Sequence, residues 1–198
     1  TAPSMRGRGP KLSAEKKPMF KDAKSAVISI TAIILVIAFG IVGIDRNNVN
    51  RLTKTGKKVT THKEAAYTLI EERFELSSMV SRILVEEGLD DPIGPVVRQW
   101  DSEADVETVS HRYIALDQEL DGVLKRYYGQ AVYLRMVPYF EEIYRVELSL
   151  IAEVEEYNGQ VDLYNAMRAS FPASLTARRL ERGALPRFSI ASALKGRP

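Results

Sequence analysis

Twenty consecutive positions, Ser25 to Ile44 (SAVISITAIILVIAFGIVGI), carry no charge and are rich in Ile, Val and Ala. As a helix, such a run spans about 30 Å, the hydrocarbon thickness of a bilayer. A buried core helix would keep a polar face, but the polar positions here, Ser25, Ser29 and Thr31, gather at the start. A cleaved signal peptide has a shorter apolar region ending in a small-x-small site, whereas this run closes on Gly43-Ile44-Asp45. The pattern predicts one retained transmembrane helix over 25–44.

Beyond the run the periodicity changes. Leu69, Leu76, Val80 and Ile83 mark a helical pattern continuing from the membrane segment, weakened at Gly56, and closed by GLDDPIGP at 88–95. Val106, Val109, Tyr113, Leu116, Leu120, Val123 and Tyr127 then recur at alternating steps of three and four, up to a break at Gly129. Phe140, Ile143, Glu147, Leu150, Val154, Tyr157, Val161 and Tyr164 repeat the same spacing. These are coiled-coil-type seams, made by helices packed lengthwise. No stretch alternates convincingly with period two. The expected fold is all-α: a single N-terminal transmembrane helix followed by an antiparallel three- or four-helix bundle. The parts read as a disordered basic tail (1–24), the membrane helix (25–44), the bundle (45–176) and a basic C-terminal tail (177–198).

Charge sharpens this division. Residues 1–64 carry 13 positive and 4 negative side chains, residues 65–176 carry 9 and 21, and residues 177–198 carry 6 and 1. An acidic middle repels phosphates and argues against nucleic acid as a partner. The basic stretch 46–63 suits a headgroup layer, where each Lys or Arg gains about 1 kcal/mol beside anionic lipid. Seven positive charges before the membrane run and six after it leave the positive-inside rule undecided. The seven in the tail would otherwise have to cross, which favours a cytoplasmic N-terminus with the bundle on the extracytoplasmic side. The C-terminal arginines fit a return to the membrane surface, a clamp on the acidic bundle, or disorder.

Candidate chemistry is sparse. There is no cysteine, and the two histidines, His62 and His111, lie far apart in sequence, which argues against disulfides and against zinc or haem sites. Asp90-Asp91 before Pro92 reads as turn chemistry. The run from Asp101 to Asp105 lacks the glycine and terminal glutamate of a calcium loop. Trp100 reads as a helix-packing anchor, with an exposed binding contact as the alternative. Glu141-Glu142 and Glu155-Glu156 read as solvated faces, since neighbours on a helix point about 100° apart. Glu147 is different, because it interrupts an apolar seam. A buried carboxylate needs a partner. It either binds a cation or proton, or is held by a tyrosine hydroxyl or an arginine from a neighbouring helix.

The stretch YNGQVDLYNAMRASFP, 157–172, repeats Tyr-Asn after seven residues, or two helical turns. The two tyrosines share the seam. The asparagines flank it, where their amides are placed to bond a neighbouring helix. Phe171 continues the seam, and Pro172 stops the helix. This stretch resembles the C-terminal signature of the LemA family through Tyr157, Asn158, Val161, Tyr164, Asn165, Phe171 and Pro172, with Glu147 and Leu150 in step. Nearer the membrane, Asn50, Leu52, Val59, Arg73, Phe74, Glu75 and Leu76 fall in register. The family's Ala-Trp pair is His62-Lys63 here, and its Ile-Pro-Asn is Ser77-Ser78-Met79. The resemblance covers about residues 46–190. It implies a membrane-anchored bacterial helical bundle without agreed catalytic residues, its bundle in the cytoplasm, with the motif residues in structural roles.

The expected function is that of a membrane-anchored scaffold or protein-interaction module, without catalysis, cofactor or metal. Its partners would be the lipid bilayer, unidentified membrane or envelope proteins, or further copies of itself. The alternative is an accessory or regulatory subunit of a membrane enzyme such as a protease. The two separate on one observation: a pocket holding Glu147 and several titratable groups would sink the scaffold-only reading.

Overall fold

The computed structural model describes residues 22–190 and 193–194. Most of the expected N-terminal tail, and 191–192 and 195–198 of the C-terminal one, lie outside the described residues. The described residues are all-helical, without strands. The elements are α1 (Ala23–Glu86), α2 (Ile93–Val97), α3 (Val106–Tyr127), α4 (Ala131–Ala169) and α5 (Ala173–Arg179). The chain divides into two compact units, Thr1–Gly43 and Ile44–Pro198.

In the first unit the described residues from Ala23 onward are helical. The most apolar 18-residue window of α1 has a mean hydropathy of 2.9 and no buried residue. Val36 and Phe39 are 71% and 75% exposed. This segment is long and apolar enough to cross a membrane.

In the second unit, α1, α3 and α4 share one core. All seven α3 seam positions are buried, from Val106 to Tyr127. Asp105 caps this helix by accepting from the Thr108 N–H at 2.7 Å. On α4 the seam is buried from Ile143 to Tyr164 with Glu147 inside it, while Phe140 is half-buried. On α1 the expected seam holds at Val80 and Ile83, which are buried, and is corrected at Leu69 and Leu76, which are only half-buried: the core line runs through Ala66, Ile70, Arg73, Ser77, Val80 and Leu84. Two polar side chains on that line disguise it. Gly56 does not interrupt α1.

The helix directions also differ from a simple antiparallel bundle. Contacts between α1 and α4 fall in opposite order along the two helices: His62 meets Glu153, and Glu86 meets Arg135. The tight turn at Gly129, with φ 77°, reverses the chain from α3 to α4. Contacts between α1 and the α3 segment instead rise together, Tyr67 with Ala104 and Arg73 with Asp117. α1 and α3 are therefore parallel, and residues 87–105 run back along α1 to make this possible. Trp100 anchors the return, with its ring 5.2 Å from Phe74 and 6.2 Å from Tyr67 and its indole N–H donating to Glu71. Asp91 shapes it as turn chemistry requires, accepting from the N–H groups of Ile93 and Gly94 and from the Ser81 hydroxyl.

The boundary expected at 176 falls inside α5. Ala173, Thr176 and Ala177 are buried, and beyond them Phe188 and Ile190 enter the core at 3% and 0% exposure. Residues 177–190 are thus part of the folded body. Asp45 ties α5 to α1, accepting from the Thr176 hydroxyl at 2.8 Å and from Arg179 at 2.6 Å. The Thr176 bond and then the Arg179 bond hold the Asp45 carboxyl below its ordinary value of 3.8. A depressed carboxylate stabilises the fold above its unfolded value, and this is lost as pH falls through the folded one. In a carboxyl-carbon NMR titration Asp45 is expected to show its midpoint below 3.8. A midpoint at or above that value would show that α5 is not held there in solution.

Candidate functional site

Glu147 sits on α4, 6% exposed, facing Arg73 of α1. Arg73 is 2% exposed, although the periodicity of its flanks is apolar. Its Nη2 donates to Asp117 Oδ1 of α3 at 2.8 Å. The flat guanidinium lies over the Tyr113 ring, 4.1 Å from the centroid, a contact that suits a weakly hydrated planar cation. Burial pushes the Arg73 pKa down, and Glu147 and Asp117 oppose that push. An arginine keeps its charge against such a shift. Three helices thus meet on one buried cation between two carboxylates. Glu147 is engaged rather than free, and an arginine from a neighbouring helix faces it, which is one of the two structural holds expected from sequence. Arg73 Nε and Nη1 and the Tyr113 hydroxyl have no hydrogen-bond partner among the described residues.

This cluster forms part of the wall of a pocket of about 610 Å³. Leu120, Leu124, Val137, Phe140 and Tyr144 supply apolar surface, and Asp121, Glu141 and Arg145 bring further charge. Glu147 thus shares a pocket with several titratable groups. Neither histidine lines it. Among the described residues no group of three or more His, Asp or Glu side chains is placed to hold a metal ion.

The Tyr-Asn repeat has a different task. Tyr157 donates through its hydroxyl to the Pro186 carbonyl at 2.8 Å, and burial pushes its pKa up to about 12. Asn158 accepts from the Phe188 N–H at 2.9 Å and donates to the Phe188 carbonyl at 3.2 Å. Asn165 does the same with Leu185, at 2.9 Å both ways. The asparagines therefore grip an extended segment, not the neighbouring helix expected from sequence. Val161 and Tyr164 are buried in the core. Phe171 does not continue the seam: α4 ends at Ala169, and Phe171 is 81% exposed. Pro172 directly precedes α5. The motif residues thus separate into Glu147 at the pocket, five on the α4 face that holds residues 185–190 as a strap (Tyr157, Asn158 and Asn165 bonding it, Val161 and Tyr164 in the core beside them), and two at the corner before α5.

Sequence reasoning did not assign Arg73 and Asp117 to the site. The signal for Arg73 was its place at a core step, three after Ile70 and four before Ser77, where a charge requires a buried partner. Comparison with protein-family models, with curated proteins and with solved structures gave no match, so the resemblance to LemA rests on the quoted residues alone.

Proposed function

We propose that this chain is a single-pass membrane protein whose helical body works by binding rather than by chemistry, taking a small amphiphile into the pocket over Arg73 and Glu147. The pocket is the observation that carries the reading. Its apolar wall of Leu124, Val137 and Phe140 suits a hydrocarbon body, and its charged end suits a polar head. With the ion pairs that reach beyond the wall counted, Asp121 with Lys125 and Arg145 with Glu142, five carboxylates stand against three cations around the pocket, which favours a cationic head. Tyr133 and Tyr144 add aromatic faces that attract cations. Catalysis is disfavoured because Asp117 is pinned by Arg73 and no nucleophile–base pair lines the pocket among the described residues. The ligand state of the pocket, read through the acidic helical faces, is the message passed to a protein partner or a second copy beside the membrane.

A matched pair of probes tests this on the full chain in lipid nanodiscs. Phenethylamine is expected to bind saturably, in the range of about 1 mM for so small a molecule, and phenylacetate of the same size is not. Glu141→Gln, at an exposed wall position, should weaken the amine several-fold while leaving the buried cluster intact. Equal response to both probes, or an amine affinity indifferent to Glu141→Gln, rules the reading out.

A further inference from the structure

We infer that the corner between α4 and α5 is a second membrane contact, in which Phe171 and Leu175 enter the interfacial layer of the bilayer. The inference rests on the reading that residues 25–44 span the membrane. Phe171 is 81% exposed and Leu175 58%. They lie four residues apart, while Ala173, Thr176 and Ala177 between and beside them face the core. A large ring left bare in water is an apolar surface without a partner.

The position of the corner says what covers it. Asp45 is the first charged residue after the apolar run and is bonded directly to Ile44 by the chain. Its carboxylate holds both Thr176 and Arg179. The corner is thereby fixed beside the residue at which the uncharged run gives way to charge. Asp45 marks the edge of any bilayer that the run spans, and α5 is held to Asp45, within reach of the headgroup layer.

The charge around it fits the same occupant. Arg178 and Arg179 are exposed on α5, as are Arg46 and Arg51 on α1, whereas residues 65–176 carry 21 acidic against 9 basic side chains. A protein partner attracted to the body's acidic faces would be repelled here, and anionic lipid would not. Apolar side chains flanked by arginines are the pattern of interfacial anchors, which bury their apolar face about 5 to 10 Å deep. A foot of this kind, tied to Asp45, would give the body a second point of attachment to the membrane.

The test uses the full chain in vesicles of phosphatidylcholine with roughly one-third phosphatidylglycerol, with and without brominated acyl chains. Tryptophan reporters are introduced singly by Phe171→Trp, by Leu35→Trp in the apolar run, and by Val85→Trp at an exposed position near the far end of α1. Each is read as the difference from the parent chain, which carries its own Trp100. The Phe171→Trp and Leu35→Trp signals are expected to be roughly halved by the brominated lipid, and the Val85→Trp signal to be unaffected. If Leu35→Trp is quenched and Phe171→Trp emits as in water, the corner is not a membrane contact although the span is. A blue-shifted Phe171→Trp signal that bromine does not quench means that protein covers the corner, and also overturns the inference. If Leu35→Trp is not quenched, the spanning reading fails and takes this inference with it.

Discussion

Replacing Arg73 with methionine is expected to lower the unfolding free energy of the helical body by about 3 to 5 kcal/mol, the cost of breaking a buried ion pair from one side. The guanidinium is 2% exposed and stands between Asp117, at 2.8 Å, and the buried Glu147. Removing it leaves two carboxylates in a low-dielectric region without their cation, and takes away the plane stacked on Tyr113. The loss should appear as a lower urea midpoint at unchanged slope. Adding Glu147→Gln to Arg73→Met should recover part of the loss, because one uncompensated charge is then removed. Glu147→Gln alone should cost less than Arg73→Met, since Asp117 still balances the arginine. If the methionine variant does not fold, Arg73→Lys gives the same test in milder form: a lysine keeps the charge but not the planar contact with Tyr113. A loss below about 1 kcal/mol for Arg73→Met would be the behaviour of a solvated surface pair, and would mean that the guanidinium is not sealed into the core.

How much of this could be read from the sequence depended on whether a residue's environment is local. The seven apolar positions of α3 repeat without interruption, and all seven are buried. The same spacing runs through α1 as Ala66, Ile70, Arg73, Ser77, Val80 and Leu84, but a charge and a hydroxyl occupy two of its steps. A rule that seeks apolar residues chose Leu69 and Leu76 instead. Ser77 solves its own burial locally, donating back to the Arg73 carbonyl at 2.7 Å. Arg73 needs Asp117, forty-four residues away, and no local pattern announces that pairing. The parallel course of α1 and α3 was hidden for the same reason. Short connections favour antiparallel neighbours, and the return of residues 87–105 along α1 is visible only through long-range contacts such as Trp100 on Phe74. Glu147 was legible as an anomaly because a carboxylate on an apolar seam demands a partner, whereas the identity of that partner was not. The outward turn of Phe171 followed from where α4 stops, two residues earlier than the seam alone suggests.

The double Tyr-Asn shows the limit most clearly, and it supplies the second large expected effect. Seven residues of helix advance about 10.5 Å. Three residues of extended chain advance about 10 Å. Asn158 and Asn165 on α4 are therefore spaced to meet Phe188 and Leu185 on an antiparallel extended segment, and each amide engages the N–H and C=O of a single residue. A side-chain amide carries its acceptor and its donor on neighbouring atoms, and so engages both groups of one residue at once. The interval of seven is a match between two kinds of backbone, and only one of them, the helix, has a periodicity that a sequence displays. Asn158→Ala removes two hydrogen bonds and strands part-buried backbone groups, at about 2 kcal/mol. Amide exchange at Phe188 should then quicken by about thirtyfold. Because Tyr157 grips Pro186, which lies between the two residues that the asparagines hold, and Phe188 and Ile190 are buried, the strap is expected to release as one unit. Leu185 exchange should rise along with Phe188 in the Asn158→Ala chain, and adding Asn165→Ala should cost less than the sum of the single variants. If Leu185 stays fully protected while Phe188 opens, the two asparagines hold independent contacts, and the strap is not a cooperative element of the fold.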